Sequence, residues 1–440
     1  MSFRTLSLED LAAPVKNAIV GGPFGSNLVS KDYTSAGVPV IRGQNMGAKW
    51  VSGEFAFVSH DKAASLSQNK ARPGDLVFTQ RGTLGQVSIV PHQGFEEYIV
   101  SQSQMKITPD PTKIDVSYLY YVFRSEEQLQ YIRNSAIQTG VPHTNLGILR
   151  KTPVVIPSLS VQRHIAGMLN ALDDRITLLR ETNAALEAIA QALFKSWFVD
   201  FDPVHAKQKG LPPAGMDEAS AALFPDRFEE SKVKPIPLGW RIGVLGDLAH
   251  QHRGTINPQQ GPHVVFDHFS LPAFDNDRTP VKEPGSKIKS NKTTIPQDAV
   301  LLSKLNPHIP RAWLPIGTAD NAVCSTEFLV FVAKNGASKE FIYSTFVSPQ
   351  FKEMLCQLVT GTSNSHQRVK PDGVSAMLTV IPAPQVLALF ASEVKPMFER
   401  IGQNFLQAQT LAALRDTLLP RLISGQLRIP AETPEMKATP

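Results

Sequence analysis

The sequence predicts an α+β protein with two similar mixed α/β domains, each followed by a long helix, and the two helices packed as an antiparallel coiled coil. Three observations predict this class. Segments of the chain recur at a nearly constant offset, short β-rich runs alternate with turn residues in each copy, and each copy ends in about forty residues of helical periodicity. Two such halves also account for a length of 440 residues, which is too long for one ordinary core.

The internal repeat is the strongest signal in the sequence. Val155-Ile156-Pro157 recurs as Val380-Ile381-Pro382, 225 residues later, and the same offset continues without insertion through the helical segment that follows. An offset of 223 carries Tyr118-Leu119-Tyr120 onto Phe341-Ile342-Tyr343. Because these matches occur in the same order at nearly one offset, we interpret the chain as two homologous halves.

The repeat divides the chain into six parts. They are a first mixed domain, a first long helix, a proline-rich linker, a second mixed domain, a second long helix and a tail that we expect to be disordered: residues 1–157, 158–200, 201–236, 237–382, 383–425 and 426–440. Turn residues bound short β-rich runs in the mixed domains, which favours an antiparallel or mixed sheet. The clearest runs are Gly74–Thr79, Gln86–Pro91, Gln104–Ile107 and Thr326–Ala333, and the predicted domain helices are Val116–Arg133 and Lys339–Leu358.

The long helices each carry an apolar stripe at spacings of three and four residues. One such helix cannot bury its stripe alone, but two copies in one chain can pack on each other as an antiparallel pair. Packing of each helix on its own domain is the alternative. We expect Pro420 to end or kink the second helix. The predicted seam residues are Ile165, Leu172, Ile176, Leu179, Asn183, Leu186, Leu193, Phe390, Met397, Ile401, Phe405, Leu411 and Leu418.

Composition excludes several classes of protein. With 42% hydrophobic and 19% charged residues the chain can bury sizeable cores, so it is not wholly disordered. Two cysteines cannot make a disulfide framework or a zinc cluster, and no secretory signal is visible, so we expect a cytoplasmic protein. Prolines interrupt the longest uncharged stretch, Gly373–Ser392, which we interpret as a buried strand and a turn rather than a membrane span. A net charge of +5 permits nucleic-acid binding without arguing for it.

Sequence motifs for catalysis are missing. The chain has no phosphate-binding GxxxxGK(S/T) or GxGxxG motif, no HExxH and no metal-ligand spacing of cysteine and histidine. The glycine-rich run Gly21–Gly25 lacks a phosphate-binding pattern, so we interpret it as a loop. Asp202-Pro203-Val204 comes closest to the loop with which adenine methyltransferases grip a flipped base, but it lacks the second proline and the aromatic residue. The sequence therefore predicts no catalytic residues and no metal site.

The mixed domains instead offer amide, hydroxyl and basic side chains in predicted loops. Arg, Gln and Asn side chains pair with base edges, and lysines suit phosphates. Each residue alone fits a solvated loop better than a base contact, but together the loops favour DNA binding. The candidates are Arg42, Gln44, Asn45, Gln80, Arg81, Gln102, Gln104, His143, Asn145, Lys287, Lys289, Asn291, Lys292, Lys304, Asn306, Ser363, Asn364, His366, Gln367 and Arg368.

Four motifs give the chain a family resemblance. They are a strand leading to Arg-Gly-Thr-Leu-Gly (Gly74–Gly85), then Gln138-Thr139-Gly140, then Val155-Ile156-Pro157 opening a long helix, and Leu418–Leu427 near the C-terminus. With these motifs in this order, the chain resembles the specificity subunit of type I restriction-modification systems over nearly its whole length. The second half departs from the pattern, since Lys304-Leu305-Asn306-Pro307-His308 replaces the Arg-Gly-Thr-Leu-Gly turn.

The resemblance implies a DNA-binding subunit without catalysis of its own. It implies that the two mixed domains are target-recognition domains, each reading one half of a bipartite asymmetric site, and that the paired helices set the gap. It also implies partners: double-stranded DNA, two methyltransferase subunits that dock on the helices, and restriction subunits that join them. S-adenosylmethionine, ATP and magnesium would belong to those partners, and no membrane is involved.

Two other functions stay open on the residues alone. One is a stand-alone DNA methyltransferase or nuclease whose active site has no recognised motif. The other is a coiled-coil adaptor with no role on DNA. Methyl transfer by the purified chain would indicate the first, and a lack of duplex affinity at low salt would indicate the second.

Overall fold

The computed structural model describes residues 3–137, 142–231, 234–360 and 367–428. The chain divides into two compact units. The first unit contains residues up to Thr177 and from Ala408 onward, and the second unit runs from Leu178 to Gln407. Each long helix therefore contributes residues to both units.

The first unit contains eleven strands among the described residues. They are β1 (Arg4–Ser7), β2 (Ile19–Gly21), β3 (Tyr33–Thr34), β4 (Val38–Ile41), β5 (Ala56–Val58), β6 (Lys70–Ala71), β7 (Leu76–Thr79), β8 (Val87–Ile89), β9 (Tyr98–Val100), β10 (Gln104–Ile107) and β11 (Pro153–Ile156). The helices that begin in this unit are α1 (His60–Ser65), α2 (Val116–Arg124), α3 (Glu126–Ser135), α4 (Leu146–Lys151) and the long α5 (Leu159–Phe198).

The second unit repeats this sequence of elements with additions. Its strands are β12 (Phe228–Glu229), β13 (Ile236–Pro237), β14 (Arg241–Val244), β15 (Ala249–His252), β16 (Thr255–Ile256), β17 (Val265–Phe269), β18 (Val281–Pro284), β19 (Lys292–Thr294), β20 (Ala299–Ser303), β21 (Ala312–Trp313), β22 (Ala322–Cys324), β23 (Phe328–Ala333), β24 (Val359–Thr360), β25 (Arg368–Val369) and β26 (Leu378–Ile381). Its helices are α6 (Asp202–Gln208), α7 (Glu218–Ala222), α8 (Leu245–Leu248), α9 (Leu271–Asp275), α10 (Lys339–Val347), α11 (Pro349–Gln357), α12 (Pro371–Ser375) and the long α13 (Pro384–Ile423).

The two units share one sheet topology. An antiparallel sheet of order β2-β10-β7-β8 in the first unit corresponds to β15-β23-β20-β21 in the second. Each unit also has a five-stranded mixed sheet, of order β3-β5-β4-β9-β6 in the first and β18-β17-β22-β19-β16 in the second. Four strands correspond, β5-β4-β9-β6 with β18-β17-β22-β19, and the inner two of these four are the parallel pair in both. A strand pair also joins the start of each domain to its end, β1 with β11 and β14 with β26. This shared order confirms the two similar mixed α/β domains.

The predicted domain helices differ from the structure at one position each. The helix predicted over Val116–Arg133 is two helices, α2 and α3, and the one predicted over Lys339–Leu358 is α10 and α11. A serine stands at each junction, Ser125 in the first unit and Ser348 in the second. Each hydroxyl donates to the carbonyl three residues earlier at 2.8 Å and accepts the N–H three residues later, at 3.4 Å and 3.3 Å. The serine ends one helix and caps the next, so the prediction of continuous helices was wrong there.

Residues 201–236, which we expected to be a linker, are packed onto the second unit where the structure describes them. Phe201, Val204 and Phe224 are buried in the core of that unit, and the Phe224 ring lies 5.2 Å from that of Trp197. Burial of these three apolar side chains stabilises the packing of the segment onto the second unit, although the segment is rich in proline.

The two long helices pack antiparallel to each other. In the second unit the amide nitrogen of Asn183 donates to the Ile401 carbonyl at 3.2 Å, while the Phe194 ring lies 6.0 Å from that of Phe390. Because Asn183 precedes Phe194 whereas Ile401 follows Phe390, the helices run in opposite directions. This confirms the predicted antiparallel pair.

The same pairing holds in the first unit. Arg415 contacts Asp173 at 2.7 Å, and Ile165 and Leu169 share a core with Leu422. The predicted seam residues are all buried or half-buried: Ile165, Leu172, Ile176, Leu179, Asn183, Leu186, Leu193, Phe390, Met397, Ile401, Phe405, Leu411 and Leu418.

Two smaller expectations about α13 need correction. Pro420 neither ends nor interrupts the assigned helix, which continues to Ile423. The uncharged stretch Gly373–Ser392 contains the strand β26, as expected, but then enters α13 at Pro384 instead of a turn, since proline is well tolerated in a first helical turn. Among the described residues, no helix is long and apolar enough to cross a membrane.

Candidate nucleic-acid interface

Five polar segments of the first unit meet at one end of its two sheets. We call them the first loop cluster: residues 21–25, 42–45, 80–85, 101–104 and 142–145. Backbone hydrogen bonds join them, from Ser101 N to Ile41 O at 3.0 Å, from Gln80 N to Ser103 O at 2.7 Å, from Thr144 N to Gln80 O at 3.0 Å and from Gly22 N to Gln104 O at 2.9 Å. Candidates that lie far apart in the sequence therefore share one surface.

The second unit has an equivalent second loop cluster, residues 303–308, 325–327 and 367–369. Its backbone hydrogen bonds match those of the first at nearly the repeat offset. They run from Ser325 N to Phe269 O at 2.9 Å, from Lys304 N to Glu327 O at 2.9 Å and from Val369 N to Lys304 O at 3.0 Å. The backbone framework is thus shared, whereas its side chains differ between the two units.

The candidate residues differ in exposure. The exposed ones are Gln44, Arg81, Gln102, Lys287, Lys289, Asn291 and Arg368, and the half-buried ones are Arg42, Gln80, His143, Asn145, Lys304, Asn306 and Gln367. Asn45, Gln104 and Lys292 are buried. Ser363, Asn364 and His366 lie outside the described residues.

Asn45 is used inside the fold. The side chain is 1% exposed, and its oxygen accepts the N–H of Arg42 at 3.0 Å. Its nitrogen donates to the carbonyls of Ser52 at 3.1 Å and Glu54 at 3.0 Å. With its amide committed to the backbone, Asn45 is a loop-shaping residue, and we withdraw it as a base contact.

Gln104 and Lys292 are likewise internal. The Gln104 amide oxygen accepts a hydrogen bond from the Ser101 hydroxyl. The Lys292 ammonium donates to the hydroxyl of Ser290 at 2.6 Å and to its carbonyl at 3.2 Å, and burial lowers the pKa of Lys292. The sequence marks these residues as polar but cannot show that they face inward, so both are also withdrawn.

Several other candidates have partners that fix their positions. Asn145 caps α4 by accepting the N–H of Ile148 at 2.9 Å. Arg368 makes a two-point ion pair with Glu327, at 3.0 Å and 3.2 Å. The Glu327 carboxylate thus fixes the orientation of this guanidinium. To contact a base, Arg368 would have to use N–H groups that also donate to Glu327.

Asn306 has an unusual environment in the second loop cluster. Its φ of 51° places it in the left-handed region, which asparagine tolerates better than most residues. Its amide oxygen is buried and finds no hydrogen-bond partner among the described residues. Among the described candidates of the second unit, Asn306 thus has a buried acceptor with no donor. Burying such an oxygen costs free energy unless a donor binds it.

The basic segment of the second unit leads toward the second loop cluster. Lys287 and Lys289 are exposed and precede β19, whose Thr293 pairs with Cys324 of β22. Because β19 runs antiparallel to β22, the start of β19 lies at the end of the sheet where the turn at Ser325 begins. The exposed lysines therefore flank the second loop cluster.

Sequence reasoning missed Phe24. The segment Gly21–Gly25 was interpreted only as a loop, yet it belongs to the first loop cluster, and Phe24 is 74% exposed. A Cβ on Gly22 would come within 1.9 Å of the Ser101 carbonyl oxygen, so only glycine allows this close approach of the two loops. The paired glycines were the signal that could have indicated a tightly held loop.

The described residues contain no group of three or more histidine, cysteine or acidic side chains placed to hold a metal ion. What the geometry offers is a repeated surface of amide, guanidinium and ammonium groups carried on rigid loops. Such a surface can read base edges and phosphates.

Comparisons with known proteins agree with this surface. The model of the type I restriction modification DNA specificity domain matches residues 27–188. The type I restriction enzyme MjaIX specificity subunit of Methanocaldococcus jannaschii is 24% identical, over 93% of this chain and 91% of that protein. The HindI specificity subunit of Haemophilus influenzae is 25% identical, over 81% of this chain and 87% of that protein.

The chain is thus similar to type I specificity subunits over most of its length. The fold agrees, since the crystal structure of a type I restriction-modification S subunit from M. genitalium superposes with a TM-score of 0.55 at 14% identity, covering 98% of this chain and 97% of that one. The family resemblance of the four sequence motifs is thereby confirmed.

Proposed function

We propose that this specificity subunit reads a bipartite asymmetric DNA site, with one half-site for each loop cluster. The recognition domains would be residues 1–157 and 237–382. The observation that carries the proposal is the duplicated backbone framework, in which Gln80 and Lys304 make equivalent hydrogen bonds but present different side chains. Equal frameworks with unlike side chains suit two half-sites of unlike sequence.

Selection of bound duplexes from a random pool tests this proposal, using the full chain co-purified with its methyltransferase partners. We expect two unlike conserved half-sites separated by a gap of fixed length. Arg81→Ala, at an exposed position in the first loop cluster, should relax one half-site and leave the other unchanged. Lys209→Ala, an exposed residue outside both clusters, is the control. Equal loss at both half-sites would contradict the assignment.

We also propose that the long helices set the gap and dock two methyltransferase subunits, which restriction subunits then join. The support is chemical. In the second unit Leu178, Ile189 and Leu406 are exposed on the helices, and apolar side chains on a helix surface suit packing by a partner. Ile189→Glu should weaken co-purification with the methyltransferase, whereas Ala188→Glu, the adjacent exposed residue, serves as the matched control. Equal association of the two variants would count against docking at Ile189.

In this proposal the subunit is not an enzyme, and S-adenosylmethionine, ATP and magnesium bind to its partners in the cytoplasm. A methyl-transfer assay separates this from a stand-alone methyltransferase. The purified chain alone should transfer no methyl group to DNA, and activity should appear on addition of the methyltransferase subunits. Transfer by the chain alone would overturn the assignment.

A further inference from the structure

The aromatic ring of Phe24 lies outside the hydrophobic cores that the described residues of the first unit form. It is 74% exposed, the largest exposed fraction of any large apolar side chain among the described residues. Its neighbour Pro23 is buried, so the loop is anchored on one side of the ring while the ring itself points into solvent. Single exposed apolar residues are common, and exposure alone would carry no conclusion.

The loop that carries Phe24 is fixed by several contacts. The Gln102 side-chain nitrogen donates to the Gly25 carbonyl at 2.6 Å and to the Leu28 carbonyl at 3.2 Å. The Asn69 side-chain nitrogen donates to the Gly21 carbonyl at 2.7 Å. These bonds place Phe24 on a defined part of the surface, which lowers the entropy lost when the ring binds something.

A polar hollow lies beside this loop. Its volume is about 410 Å³, and its lining includes Gly25, Tyr33, Ser101, Gln102 and Ser103. The side-chain oxygens of this lining can accept hydrogen bonds from a base edge, whereas the Gln102 amide nitrogen already donates to Gly25 and Leu28. A loop that exposes an aromatic ring at Phe24 and borders a polar hollow at Gly25 can meet both the apolar face and the polar edge of a nucleobase.

We infer that Phe24 packs against bases of the half-site read by the first domain, with the polar hollow beside it. The inference rests on the proposed function and adds a specificity-determining residue to it. An aromatic ring can stack on a base face or touch a thymine methyl group, and both contacts are apolar. Neither contact neutralises a phosphate.

The effect of salt distinguishes this contact from a phosphate contact. Phe24→Ala in the full chain, co-purified with its methyltransferase partners, should weaken binding to the selected site by about tenfold to a hundredfold. The slope of log affinity against log salt should stay unchanged, because no counterion is released by an apolar contact. Phe24→Trp should retain most of the affinity. Since the ring is exposed, these variants should fold as the parent does, which circular dichroism would check.

Val15→Ala is the matched control. Val15 is 57% exposed and precedes the start of β2, whereas the first loop cluster lies at the end of that strand. Its replacement should therefore leave affinity unchanged. Duplex selection with Phe24→Ala should alter only the half-site that Arg81→Ala alters. The inference is wrong if Phe24→Ala binds like Val15→Ala, or if its salt slope falls.

The proposed function fails differently. If the parent complex selects no bipartite site, the proposed function is wrong whatever Phe24 does. If the parent selects such a site and Phe24→Ala selects the same site with equal affinity, only the inference about Phe24 is wrong. Two labelled duplexes identify the contact. Because stacking quenches 2-aminopurine, a brighter signal in the complex of Phe24→Ala than in the parent complex indicates that the ring stacks on the base, and loss of affinity on replacing thymine by uracil indicates a methyl contact.

Discussion

Asn404 donates a hydrogen bond from its side-chain nitrogen to the side-chain oxygen of Asn183 at 2.9 Å, within the seam of the two long helices. Asn404 is 1% exposed, and the Asn183 nitrogen in turn donates to the Ile401 carbonyl. The pair therefore satisfies its own buried polar groups in a seam that is otherwise mostly apolar. Buried asparagines of this kind favour one helix register over others at some expense in stability.

Asn404→Leu alone should destabilise the protein by about 1–3 kcal/mol, because the Asn183 amide oxygen loses its hydrogen-bond donor inside the seam. Replacing both asparagines by leucine should recover most of that loss. Urea unfolding of the two variants and the parent measures the difference. Gln191→Leu is the control, since the Gln191 amide nitrogen is buried without a partner among the described residues and its removal should be neutral or stabilising. A double variant less stable than Asn404→Leu would contradict this account.

Asp75 and Asp298 hold equivalent places before β7 and β20, but only Asp75 is buried. Its carboxylate lies 3.0 Å from the Lys106 ammonium, whereas the exposed Asp298 pairs with Lys339 at 3.4 Å. Lys106→Met should cost about 3–5 kcal/mol because it leaves a buried carboxylate uncompensated, and Lys339→Met should cost less than about 1 kcal/mol. Thermal unfolding of the two matched variants measures the contrast. Similar shifts in both would show that burial does not govern the two pairs.

Lys289 and Lys292 should respond differently to replacement by alanine. Lys289 is exposed beside the second loop cluster, so its loss should weaken binding to all duplexes and reduce the salt slope by about one. Lys292 is buried and bonded to Ser290, so its replacement should lower stability. Fluorescence anisotropy over a salt series, together with unfolding curves, measures both effects. An unchanged slope for Lys289→Ala would remove this residue from the interface.

Alkaline pH should destabilise the protein through its buried tyrosines. Burial raises the pKa of Tyr118 and Tyr343 above the ordinary value of 10.0, and it raises the pKa of Cys324 to about 12. Above the ordinary value the unfolded chain releases these protons while the folded chain keeps them, so stability falls as pH rises. Each such group contributes a loss of about 1.4 kcal/mol per pH unit between its unfolded and folded pKa values.

Unfolding midpoints measured from about pH 8 to about pH 11 check this expectation. They should be flat below the ordinary cysteine pKa of 9.0, begin to decline above it through Cys324, and decline more steeply above the ordinary tyrosine pKa of 10.0. Ultraviolet absorbance should show in parallel that tyrosinate forms together with unfolding. A constant midpoint through this range would mean that the buried tyrosines ionise in the folded protein.

Much of the fold could be predicted from the sequence because it depends on periodicity and repetition. The strand Gln104–Ile107 was predicted with its observed bounds, and the helical periodicity located both long helices to within a few residues. The serine junctions escaped prediction, since a serine within a helical pattern is compatible with a continuous helix until its hydroxyl is seen to bond both ends.

The candidate interface was less predictable for a physical reason. Residue type indicates which groups can pair with a base, but the direction of a side chain in a loop depends on contacts distant in sequence. Asn45 and Asn306 look alike in the sequence, yet one amide is fully bonded and the other has an unused oxygen. Phe24 was overlooked because apolar residues are expected inside, and only the folded loop shows its ring outside.

The packing of residues 201–236 bears on how new specificities can be assembled by recombination. Because Phe201, Val204 and Phe224 share a core with Trp240, a hybrid that took only residues 237–382 from another relative would join side chains that never evolved to fit each other. A viable chimera should carry residues 201–236 along with the domain they pack against. The segment that must be exchanged to transfer DNA specificity is therefore longer than the sheet domain itself.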